Sequence, residues 1–176
     1  MSDMAKYPAK IESFITVNEL EALIVECYAV RRNLLIPSTT EIIGDVLSHS
    51  GVVAVTHKGD FLIEFMCDNI VYIKKVDTYK KGENFVFEDL QFIHDDCDPQ
   101  IPSREVTVRR FATSMAYFMQ GEKFDTFTHN CHMARYSTMR KYGMKSNNPR
   151  KSKVNIFFQG FIDYFSKSKK APKIDP

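Results

Sequence analysis

Apolar positions along this chain change period several times, and each change predicts an element. Between residues 18 and 32, Leu20, Leu23, Ile24, Cys27 and Val30 fall three and four apart, which predicts a helix over about 18–32 with Asn18 and Glu21 as a variant capping box. From Ser48 the pattern turns to β-branched and aromatic runs, "SGVVAVTHKGDFLIEFMCDNIVYIKKV", broken at Lys58-Gly59-Asp60 and at Asp68-Asn69. Those breaks between extended runs predict an antiparallel meander of three strands. "NFVFEDLQFI" predicts one more strand over about 84–94. After Pro102-Ser103 the helical period returns: Val108, Phe111, Ala112, Met115 and Phe118 line one face and Gly121 ends it. A further helix starts near Asn130 and stops at Gly143. The order helix, strands, helix, helix predicts an α+β fold, with helices packed on one face of a mostly antiparallel sheet.

The last periodic stretch is of another kind. In "KSKVNIFFQGFIDYFSKSKKAPK", Val154, Phe157, Phe158, Phe161, Ile162 and Phe165 form a helical apolar stripe with lysines at both ends. Charge separates this segment from the rest: residues 1–144 hold 16 Lys and Arg against 20 Asp and Glu, while residues 145–176 hold 8 against 2. The organisation expected is a domain over 1–149 followed by a basic amphipathic helix and tail over 150–176. The stripe suits either a core face or a helix lying in a membrane interface, its lysines meeting anionic headgroups, and it is too short to span a bilayer. No nucleic-acid recognition motif accompanies the basic residues, so nucleic acid is not an expected partner.

With 176 residues and 44% of them hydrophobic, the chain can bury one sizeable core. The N-terminus "MSDMAKYPAKIE" carries charges where a secretory signal has an apolar run, which predicts a cytoplasmic protein, peripherally membrane-bound if the tail is interfacial. Cys27, Cys67, Cys97 and Cys131 are too widely spaced for a dense disulfide framework, so reduced thiols are expected.

Three residues carry types that fit one chemistry. His49 opens the first strand of the meander in "LSHSGVV", and Glu64 lies mid-strand in "FLIEFM", on the face opposite Phe61, Ile63 and Phe65. Cys131 stands in the first turn of a helix, where unpaired backbone N–H groups favour a thiolate. Adjacent antiparallel strands can bring His49 beside Glu64, and a Cys-His-acid nucleophilic site is built from such parts. Spacing alone leaves plainer alternatives open: a small buried thiol, a carboxylate facing solvent, a surface histidine. His94 with Cys97, and His129, Cys131 and His132, are metal-ligand types, but their spacing fits no standard zinc framework. Neither a metal nor a cofactor is expected. His57 reads as a hairpin-turn residue, and His132, about 100° round the helix from Cys131, is badly placed to be its base.

"LSHSGVVAVTHKGDFLIEFMCDNIVYI" and "FDTFTHNCHMARYSTMRKYG" together resemble the two sequence blocks of the circularly permuted NlpC-type papain-like superfamily, in its lecithin:retinol acyltransferase-like branch. The resemblance covers about residues 45–76 and 124–143, and the order of His49 before Cys131 is that of the permuted form. Ser50 departs from the hydrophobic residue common between the His and the Gly. The resemblance implies a permuted papain-like fold in which Cys131 is the nucleophile, His49 its base and Glu64 the group orienting the imidazole. It implies a cysteine hydrolase (peptidase or amidase) or acyltransferase acting on an amide, ester or thioester of an acylated, lipid or peptide substrate, with an anionic membrane surface as a further partner through the tail. The alternative is a catalytically silent interaction or membrane-adaptor module of the same fold.

Overall fold

A computed structural model describes residues 10–11, 14–33, 48–77, 79–95, 98–121 and 130–146. The tail stripe, His129 and Cys97 lie outside them. The chain enters through a two-residue strand, β1 (Lys10–Ile11), and a single helical turn, α1 (Val17–Leu20). The turn is closed by a capping box in which the Thr16 hydroxyl accepts from Glu19 N–H and the Glu19 carboxylate accepts from Thr16 N–H.

The helix expected over 18–32 is not there beyond α1; residues Ile24–Asn33 form a strand, β2. The reason lies in burial on both sides. Cys27 and Ala29 enter one core cluster while Tyr28 and Val30 enter the other, so the strand is apolar at successive positions and the spacing of three and four was incidental. Its Ile, Val and Tyr residues favour a pleated backbone once both faces can be packed.

The meander forms as its turns predict: β3 (Ser48–Thr56), β4 (Gly59–Phe65) and β5 (Val71–Lys75), with His57 exposed in the first turn. The strand expected over 84–94 is instead a hairpin, β6 (Phe85–Phe87) and β7 (Leu90–His94). Its two-residue turn is Glu88-Asp89, both with positive φ, a conformation in which neither residue type announces itself as Asn-Gly would. β7 pairs with β2 and not with the meander's last strand, giving the sheet order β1-β5-β4-β3-β2-β7-β6. All pairings are antiparallel except that of β1 with β5.

Two helices follow, α2 (Val108–Phe118) and α3 (Cys131–Lys141). Val108, Phe111, Ala112 and Met115 of α2 pack with Ala134 and Met139 of α3 on Val52, Ala54, Phe61, Ile63 and Phe65 of the sheet. Each large side chain buried there is worth about 1.5–3 kcal/mol. Phe118, expected on the same face, is 39% exposed and lies beneath the Lys141 ammonium, while Met119 is buried in its place. The opposite face of the sheet packs on itself, with Tyr28, Val30, Val53, Val55 and Leu62 meeting Phe85 and Phe92 of the hairpin. The fold is thus mixed α+β: a curled antiparallel sheet with helices on one face. Among the described residues no helix is long and apolar enough to cross a membrane.

Candidate functional site

The site is assembled where the beginning of β3 meets the beginning of α3. Asn130 caps α3, its side chain accepting from Met133 N–H at 3.0 Å, and so makes Cys131 the first helical residue. At the far end Gly143, with φ of 74°, closes the helix: Gly143 N–H donates to Arg140 O at 3.1 Å and Met144 N–H to Met139 O at 3.0 Å. Cys131, Ala134, Arg135, Thr138 and Met139 are the buried stripe between those caps. The thiol therefore enters the interior on the same face that packs α3 to the sheet.

The strand register supplies the other two groups. Gly51 stands opposite Glu64 across the β3–β4 ladder, and His49 lies two residues back on the same face of β3. Glu64 can lean diagonally towards His49 because Gly51 has no side chain: a Cβ there would lie 3.0 Å from Glu64 Cγ, 3.2 Å from Ile63 O and 3.3 Å from Leu62 Cδ1. His49 Nε2 approaches Glu64 Oε1 to 2.9 Å, an ionic contact set off the line of a good N–H···O bond. With Nε2 turned to the carboxylate, Nδ1 is the nitrogen left for the thiol. His49 is 6% exposed, Glu64 2% and Cys131 5%, so the carboxylate does not face solvent and all three groups interact at low dielectric.

That environment polarises the pair. Burial alone would pull the imidazole down, but the hydrogen bond and charge of Cys131, together with the adjacent Glu64 carboxylate, outweigh it and raise His49 to about 9. Burial pushes the Cys131 thiol up; the hydrogen bond and charge of His49, with backbone N–H groups of Ser50 and His132 aimed at the sulfur, bring it below its ordinary value. Ser50 N–H reaches Sγ at 3.4 Å. A thiolate–imidazolium pair is the state these contacts favour. Cys27, by contrast, is fully buried with no such partner, and desolvation drives its thiol far up; Cys67 is exposed.

The three residues expected from the sequence are thus brought together. Four neighbours take roles that the sequence does not assign to them. Gly51 provides the gap and Ser50 the N–H. His132 turns away from the sulfur and places Nε2 2.8 Å from Ser48 O. Arg135, one helical turn beyond Cys131, pairs with Asp95, which also meets Arg31 Nε at 3.2 Å, tying α3 to β2 and to the end of β7. Beside that cluster lies a pocket of about 160 Å³ lined by Ala29, Asp95, Gln100, Arg135 and Lys145. His94 packs on Tyr79, with its Nε2 3.0 Å from Glu83 O, and among the described residues no group of three His, Cys, Asp or Glu side chains could hold a metal ion.

Compared with protein-family models, curated proteins and solved structures, the chain matches none.

Proposed function

We propose that this chain is a cysteine hydrolase or acyltransferase of the permuted papain-like kind, working through Cys131, His49 and Glu64. The observation that carries the reading is the buried His49 held between a thiol at the first position of a helix and a carboxylate on the neighbouring strand. Structural burial alone gives no reason to lower a thiol while raising an imidazole; mutual activation does. The order of His49 before Cys131, and the packing of α3 on an antiparallel sheet, agree with the permuted arrangement.

In the reaction the Cys131 thiolate attacks the carbonyl carbon of an ester, thioester or amide, forming the C–S bond as the carbonyl electrons move to oxygen. Backbone N–H groups at the start of α3, that of Cys131 first, stabilise the oxyanion. Collapse breaks the bond to the leaving group, which takes its proton from the His49 imidazolium. His49, now neutral, then accepts a proton from water or from an acceptor amine or hydroxyl as that group attacks the thioester, and the thiolate is released with the imidazolium restored. Glu64 holds the imidazole ring and its charge through both halves. A membrane surface is the setting we propose for lipid or acylated substrates, on the strength of the lysine-flanked stripe over Val154–Phe165.

The near-complete cover over the thiol favours a second reading, a silent binding module that keeps the same arrangement. Acyl-enzyme trapping decides between them. Incubation with activated acyl esters, acyl thioesters and peptide amides, followed by intact-mass and peptide analysis, should reveal an acyl adduct on Cys131 that is absent from Cys131→Ser. Adducts that survive that substitution, or that form only on Cys67, would leave the binding module standing.

A further inference from the structure

The first three residues of β3 lie beyond the reach of β4, whose pairing with β3 begins at Gly51. Two of the backbone groups this leaves on β3 are taken by α3: the Ser48 carbonyl by His132 Nε2 at 2.8 Å, and the Ser50 N–H by Cys131 Sγ at 3.4 Å. The Ser48 hydroxyl also lies 3.3 Å from His132 Nε2. These contacts bracket the reacting pair, since Ser48 and Ser50 flank His49 while Cys131 and His132 are adjacent.

We infer that His132 is a positioning residue whose Nε2–H, donated to the Ser48 carbonyl, pins the first turn of α3 to the open edge of β3 and so fixes Cys131 against His49. The inference deepens the thiol-enzyme reading and rests on it. A carbonyl can only accept, so the bond requires the proton on Nε2. Consecutive helical residues point about 100° apart, which is why this imidazole serves the strand while its neighbour's sulfur meets His49. Because the contact joins two elements far apart in sequence, its loss lets α3 shift along β3. A shift of a fraction of an ångström suffices to loosen the thiolate–imidazolium contact.

Two measurements test it. In the intact wild-type chain, long-range ¹H–¹⁵N correlations of the histidine rings should show His132 as the Nε2–H tautomer; an Nδ1–H tautomer overturns the clamp whatever the reactivity of Cys131. In the second, the pH dependence of Cys131 alkylation by iodoacetamide is followed by peptide mass spectrometry in wild type, His132→Gln and His132→Phe. Gln places an N–H where Nε2 stood and should keep the wild-type profile within about threefold. Phe fills the same space without a donor and should raise the apparent thiol pKa by about one unit, about tenfold less labelling at mildly acidic pH. Coincident profiles for a reactive wild type and a folded His132→Phe overturn this inference alone. Should His132→Phe not fold, a Gln profile displaced as far as that of Cys131 in His49→Ala, or the wrong tautomer, still overturns it. A wild-type Cys131 that titrates as an ordinary thiol rejects the enzyme reading, and this inference with it.

Discussion

At the scale of single residues, Glu64 has no structural excuse for its place. It sits 2% exposed among apolar strand residues, and its contact with His49 offsets the desolvation of a carboxylate. Glu64→Gln keeps shape and volume but removes the charge that helps hold the imidazole near 9. We expect this variant to fold and to turn over more slowly than wild type, with a smaller loss than Cys131→Ser, which removes the nucleophile itself. Its rate–pH profile should also change shape. In wild type the imidazolium needed to protonate the leaving group persists until pH passes about 9, and without the Glu64 charge the alkaline limb should move to lower pH. An unchanged alkaline limb would show that another group orients His49.

At the scale of elements, the site depends on a gap in β3. Gly51 has no backbone angle that demands glycine; what it supplies is space, since Glu64 Cγ, Ile63 O and Leu62 Cδ1 all crowd the position a Cβ would take. The backbone carbonyl cannot yield, so Gly51→Ala should displace the Glu64 side chain and cost about 1–3 kcal/mol, the usual range for overpacking. Denaturant unfolding measures the cost, and a fall in Cys131 alkylation at neutral pH reports the loss of alignment. Wild-type stability and reactivity together would contradict the role given to the gap. The same strand shows what was legible in the sequence. Alternation in "FLIEFM" put Glu64 opposite Phe61, Ile63 and Phe65, and Asn130 and Gly143 marked both ends of α3, because caps and strand periodicity are local signals. β2 was misread because a strand buried on both faces has no alternation to display, and the β6–β7 hairpin because Glu88-Asp89 adopts positive φ without a glycine. The His132–Ser48 contact spans 84 residues of sequence, and no local pattern encodes it.

For the whole molecule, the sheet, the two long helices among the described residues and all three site residues lie within residues 10–141, before the basic segment begins. Removing residues 150–176 should therefore leave a folded, monodisperse domain that still alkylates at Cys131. Binding of the intact chain to vesicles should rise with their anionic lipid content, weaken as salt screens the lysines over roughly 8 Å at physiological ionic strength, and vanish on truncation. An aggregated truncation would make the Val154–Phe165 stripe part of the core instead, its phenylalanines each covering apolar surface worth about 1.5–3 kcal/mol.

The claim on which the rest depends is that Cys131 and His49 share a thiolate–imidazolium pair, and the titration of Cys131 itself tests it most directly. With site-resolved iodoacetamide labelling across pH, exposed Cys67 serves as an internal reference and buried Cys27 should stay unlabelled. The account predicts that Cys131 reaches its plateau rate well below the ordinary thiol value of about 8.5, and that His49→Ala carries the curve back up to or beyond it. A Cys131 curve that follows Cys67 in wild type, or one that His49→Ala leaves unmoved, would contradict it.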